Sequence, residues 1–180
     1  AETNEGYAIV GYRIANESVG KEWMLLDVGM TVMKGTEAQT ITRDDIKLVT
    51  PDHQVLSLPS QEDYQKARGE VMPLVKRAAL AGDPINYFPP SADSPCSLTL
   101  FTEPGILNAP MARDEVELSH NRACVGRVYF HVPGGIKLGN YNFDVKFENS
   151  IVKVPIEIMT EEQAKEFTKK WKESLKKSKH

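Results

Sequence analysis

The chain has 180 residues, 41% of them hydrophobic and 26% charged, which suits one compact domain with appendages and excludes a disordered or collagen-like chain. Twenty-two Lys and Arg against 25 Asp and Glu leave a formal charge of −3, which argues against a broad phosphate-binding surface and against nucleic acid as a partner. No apolar run approaches the roughly 18–20 residues that cross a bilayer, because Asp27, Lys34, Lys76 and Arg77 interrupt the richest stretches.

In chain order, residues 6–16 read as a short strand with Ala8, Val10, Tyr12 and Ile14 on one side, followed by a turn over 17–21. Residues 22–33 form a longer strand, because Met24, Leu26, Val28, Met30 and Val32 repeat with the two-residue period of a pleated chain. Trp23 and Leu25 on its other face predict cover on both sides. Residues 35–42 are polar and read as a connection. Strands over 45–50 and 54–58 flank Pro51-Asp52-His53, which predicts a hairpin, since Pro fixes φ and Asp can bond the backbone that follows.

Ser60 with Asp63 three residues on is a weak capping signal, and Tyr64, Ala67, Val71, Leu74, Val75, Ala78 and Ala79 follow at helical spacing. This predicts a helical insertion over about 60–82, broken near 69–73 by Gly69 and Pro73. Four prolines within residues 83–95 then predict an extended, stiffened loop. In that loop Tyr87 and Phe88 stand beside Pro89-Pro90. Aromatic side chains on a rigid loop lose little entropy when covered, so these four residues are a candidate binding element. Alternatively, both rings plug a gap between the insertion and the strands.

Further strands are predicted over 97–102, 115–119, 123–132, 141–147 and 151–158, the last two alternating cleanly about the Glu148-Asn149-Ser150 turn. Short strands, frequent turns and the lack of alternating helices make the chain mainly β: an antiparallel sandwich over 1–160, with the insertion and its loop at 60–95. Thr160-Glu161-Glu162-Gln163 is a capping box that starts a separate C-terminal helix over 161–180. That tail holds seven Lys and four Glu, a local +3, so residues 1–160 carry −6. Ala164, Phe167, Trp171 and Leu175 form a narrow apolar stripe on it. The stripe suits docking on its own domain, a partner protein through Phe167 and Trp171, or peripheral contact with an anionic membrane surface.

The two cysteines, Cys96 and Cys124, lack CxxC spacing and predict a structural disulfide, hence an oxidising, extracytoplasmic compartment, the alternative being two buried thiols in a cytosolic domain. The small and polar start, Ala1-Glu2-Thr3-Asn4, fits a mature exported protein. Phosphate loops, GxSxG, HExxH, EF-hand and kinase patterns are missing, and Gly134-Gly135 leads toward a strand rather than a helix. The acidic pairs Asp44-Asp45, Glu161-Glu162 and Asp114 with Glu115 fall at turns, caps and solvent faces. Met30 and Met33 face opposite sides of a strand, which suits packing better than copper. No catalytic residue, metal or cofactor is expected. Asn16-Glu17-Ser18 is a glycosylation sequon that matters only in a eukaryotic secretory route.

The run Ile46-Lys47-Leu48-Val49-Thr50-Pro51-Asp52-His53-Gln54-Val55 after an alternating strand, and Gly126-Arg127-Val128-Tyr129-Phe130-His131-Val132-Pro133 before a closing hairpin, resemble bacterial exported immunoglobulin-like domains of unknown function. Many of these are attached to the envelope as lipoproteins. The resemblance covers about 6–58 and 97–158, and implies a non-catalytic module that binds an envelope protein or other envelope component. A small-ligand carrier or enzyme, with a pocket between the 60–95 insertion and the sandwich, is the alternative, and a structural accessory domain is a third.

Overall fold

The computed structural model describes residues 1–177, the side chains of 175–177 excepted. The molecule is mostly β, with antiparallel sheets and a C-terminal helix. One four-stranded sheet places β1 (Gly6–Gly11), β2 (Trp23–Val32), β8 (Arg122–His131) and β6 (Ser94–Leu98) in that order. The second runs β10 (Ile151–Ile158), β9 (Gly139–Lys146), β4 (Ile46–Val49) and β5 (Val55–Ser57). A two-stranded ladder joins β3 (Gln39–Thr42) to β7 (Glu115–Leu118).

The apolar faces of the two large sheets share one core. Met24, Leu26, Val28, Met30 and Val32 of β2 and Val128 and Phe130 of β8 belong to the same buried cluster as Phe143 and Val145 of β9 and Val152 and Ile156 of β10. Phe130 stands edge-on to Phe143 at 6.3 Å, and each such buried side chain contributes about 1.5–3 kcal/mol. The period-two patterns thus become two apolar faces turned toward each other. β10 forms one border of its sheet, and its Pro155 lies opposite Asn142 of β9.

The structure departs from the sequence reading in several places. The first strand stops at Gly11, and Arg13–Asn16 form a helical turn, α1, which buries Ile14 and Ala15 and leaves Arg13 beside Glu17. The polar 35–42 segment contains β3, whose buried Ile41 lies opposite Val116. β6 begins at Ser94, earlier than predicted, and runs parallel to β8, so the molecule is not a purely antiparallel sandwich. Pro95 is tolerated because β6 is an edge strand.

The insertion comprises α2 (Gln61–Lys66) and α3 (Arg68–Ala81), with the break at Ala67 instead of 69–73. Ser60 caps α2 by accepting the Asp63 N–H at 3.0 Å. Pro73 sits in the second turn of α3, where the bond it forfeits would have run to Gly69 near the helix start. The insertion packs on the outer face of β2 through Tyr64 against Trp23, the loop after it covers Asp27 and Gly29, and all ten β2 residues are buried. Beyond it, loop 83–93 lies across β1 and β2. A Cβ at Gly29 would meet Phe88 Cζ at 2.6 Å, and one at Gly11 would overlap Asp83, so these two glycines make room for the loop.

The helix α4 (Glu161–Lys177) starts at the predicted capping box: Gln163 N–H donates to Thr160 Oγ1 at 3.2 Å, and Thr160 N–H to Gln163 Oε1 at 2.9 Å. Just ahead of it, Met159 N–H donates to Asn16 Oδ1 of α1 at 2.9 Å. Residues 178–180 of the predicted tail lie outside the described residues.

Candidate functional site

Cys96 and Cys124 form the predicted disulfide. They are register partners in β6 and β8, with Cα atoms 4.1 Å apart. The bridge closes a segment that wanders without regular structure over residues 99–114 and then returns to the sheet. Closing a loop of this length stabilises by about 3.5 kcal/mol in the chain-entropy account.

That segment carries Glu103 to the outer face of the first sheet, where it completes a polar brace. Arg127 Nε donates to Asp27 Oδ1 at 3.1 Å, and Arg127 Nη1 reaches both Glu103 oxygens at 3.2 Å. Tyr129 O–H donates to Glu103 Oε1 at 2.6 Å, and Asp83 N–H donates to Asp27 Oδ2 at 3.0 Å. Burial raises the Asp27 carboxyl above the ordinary aspartate range, although the Asp83 amide and Arg127 pull it down. Burial opposes the Arg127 charge, yet Glu103 and Asp27 outweigh it and hold its pKa above the usual arginine value. Burial, with Glu103 next, pushes the Tyr129 phenol far up.

A cavity of about 360 Å³ opens beside this brace, between loop 83–93 and the sheet, and Asp83, Ile85, Leu98 and Phe101 help to line it. The cavity is where a pocket between insertion and strands was expected. Its one cation is already held by two carboxylates, and no group of three or more metal-type ligands occurs among the described residues. The arrangement ties insertion, disulfide loop and sheet together. Sequence reasoning missed this brace. Its only signal was Asp27 in the middle of an otherwise apolar strand, because Glu103 and Arg127 are 24 residues apart and meet only through the fold.

The aromatic pair of the proline-rich loop separates into two environments. Phe88 is half-buried over Gly29, 6.1 Å from the Tyr7 ring, and Tyr7 O–H donates to the Tyr87 carbonyl at 2.6 Å. Phe88 therefore plugs the gap against the sheet. Tyr87 is 70% exposed, with Pro89 half-buried beneath and Pro90 exposed beside it. The disulfide-closed segment adds exposed Leu107 and Met111, an apolar loop tip that the strand-centred reading overlooked.

On α4, Phe167 is 61% and Trp171 56% exposed. Of the two rings, Phe167 edges a cleft of about 290 Å³ that Tyr12, Asp83 and Glu157 of the body help to line, so its own domain meets part of the stripe. The helix meets the body over its first two turns, through Met159, Asn16, Ala164 and the edge of Phe167, and Trp171 stands beyond them with more than half its surface exposed. Between α4 and the helices α1 and α3 lies an open groove of about 1190 Å³. Its charged walls are Arg13, Glu17 and Arg77 on the body, and Glu161, Lys165, Lys169, Lys172 and Glu173 on α4. No described helix is long and apolar enough to cross a membrane. No protein-family model, curated protein or solved structure matches the chain.

Proposed function

We propose that the chain is an exported, non-catalytic binding module of the bacterial cell envelope, built on an immunoglobulin-like sandwich, whose tail helix and insertion loop meet an envelope protein. The observation that carries this reading is the exposure of Phe167 and Trp171 on a helix that leaves its own domain. Two large rings held in water at one spacing gain most when another surface covers them. Exposed Tyr87 on its proline-stiffened loop adds a second contact of the same kind. The disulfide supports an oxidising compartment. Strand order β10-β9-β4-β5 opposite β1-β2-β8 supports the immunoglobulin-like assignment, with parallel β6 as a departure from it. A carrier or enzyme site beside Arg127 is the weaker reading, because that cation is already engaged.

The test is photo-crosslinking in living cells from benzoylphenylalanine placed at position 171, with position 55 on exposed β5 as the control. The module reading expects a discrete adduct of defined mass from 171 and none from 55. Equal, diffuse labelling from both positions, or none from 171, overturns it.

A further inference from the structure

The groove between α4 and the body has a charge pattern that its own side chains do not balance. Five cations, Arg13, Arg77, Lys165, Lys169 and Lys172, face three carboxylates. Glu17 is shared by Arg13 and Arg77, at 3.6 Å from each, and Glu161 holds Lys165 at 2.6 Å. Lys169 and Lys172 have no ion pair among the described residues. The excess is local, since the chain as a whole carries −3. It is also divided between two walls, with Arg77 on α3 facing the lysines of α4 across open space.

We propose that this groove receives an acidic peptide segment of the partner protein, its carboxylates taken by Lys169 and Lys172 on one side and, on the other, by Arg77, which unlike doubly paired Arg127 has only one carboxylate, Glu17, and shares it with Arg13. The proposal rests on the reading of α4 as a recognition element and names the chemistry it recognises. The shape favours a peptide over a bilayer: a flat anionic surface cannot reach both walls of a concave channel at once, whereas an extended chain can lie along it. Neither Phe167 nor Trp171 lines the groove; Trp171 is exposed outside it and Phe167 stands at the rim of the neighbouring cleft, more than half exposed, so both offer surface to the same partner.

The probe is a fluorescein-labelled oligoglutamate of about eight residues, which when extended spans the ~25 Å length of α4. Its fluorescence anisotropy is followed with the full chain at low salt, beside an oligolysine control and flotation with phosphatidylglycerol vesicles. The groove expects saturable binding of oligoglutamate and none of oligolysine. Lys169→Glu with Lys172→Glu should weaken binding about tenfold, Arg77→Ala should weaken it several-fold, and added salt should erase it. These three side chains are exposed, so circular dichroism of the variants should match the parent.

Loss with the lysine variants and none with Arg77→Ala means that the bare helix binds, which overturns the groove. Capture by anionic vesicles without oligoglutamate binding assigns α4 to a lipid surface and also overturns it. Failure of both probes overturns the acidic partner while leaving the position-171 crosslink, and with it the module reading, to be judged separately.

Discussion

The insertion α2–α3 and the tail helix α4 are both helical additions to the same β framework, yet they are held in opposite ways. Tyr64 of α2 enters a ring cluster with Trp23, Phe101 and Tyr129, at centroid distances of 4.7–6.2 Å, and Val71, Leu74, Val75 and Ala78 of α3 are buried with it. Phe167 and Trp171 of α4 touch no such cluster. α3 and α4 each carry an apolar stripe in sequence, so a stripe alone does not say whether it meets its own domain. The difference lies in the other surface: the outer face of β2 offers Trp23 and Leu25, while the surface below α4 offers Arg13, Glu17 and Arg77.

The largest effect is expected at Tyr64. Tyr64→Ala should cost about 4 kcal/mol in denaturant unfolding, because a large ring leaves a packed cluster. Tyr64→Phe should cost no more than about 1 kcal/mol, since the buried hydroxyl lies beside the Tyr129 phenol without a hydrogen bond of good geometry. Replacing Cys96 and Cys124 together by Ala should cost about 3.5 kcal/mol, read as a shifted urea midpoint. Arg127→Met should cost about 3 kcal/mol, because Asp27 and Glu103 then face each other without a cation. If Tyr64→Ala, the double cysteine replacement or Arg127→Met is silent, the insertion is not fastened as described.

A smaller, pH-dependent effect is expected at the Glu148-Asn149-Ser150 turn, which Glu5 clamps through Ser150 Oγ at 2.6 Å and through the Asn149 backbone and side chain. The Ser150 and Asn149 hydrogen bonds hold the Glu5 carboxyl below its ordinary value of 4.5. A carboxyl lowered in the folded state stabilises above its unfolded pKa, and that stabilisation is lost as pH falls through the folded value. Thermal midpoints of Glu5→Gln and the parent should therefore differ at neutral pH and converge well below pH 4.5. The smallest effect belongs to α4: Phe167→Ala with Trp171→Ala should change stability by less than about 0.5 kcal/mol. A clear fall in the thermal midpoint would mean that the stripe docks on its own domain after all, and the contrast with the insertion would disappear.

Local chemistry made much of the framework legible. The β9–β10 hairpin, the β4–β5 turn, the alternation in β2 and the caps at Ser60 and Thr160 all depend on residues close in sequence, and each stands where its pattern placed it. The disulfide was legible from cysteine count alone. What escaped were features made by distant partners. β3 is polar and becomes a strand because β7 lies beside it, and the parallel pairing of β6 with β8 joins residues 28 apart, beyond the reach of any local pattern. No break falls at 69–73 because Pro73 is accommodated in the second turn of α3, and the two helices part at Ala67 instead. At the candidate site, Tyr87 and Phe88 had the same composition signal, and only the space above Gly29 decided that one would be covered and the other displayed.

The position of Pro155 on β10 has a consequence for behaviour in crowded surroundings. Proline lacks the amide hydrogen that an incoming strand would need at that point of the border, and Lys153 and Glu157 on either side add opposite charges to it. A neighbouring molecule that began to extend the sheet there would meet an interrupted donor row after one or two residues. Copies at high local concentration are thereby discouraged from fusing along this margin into fibrils.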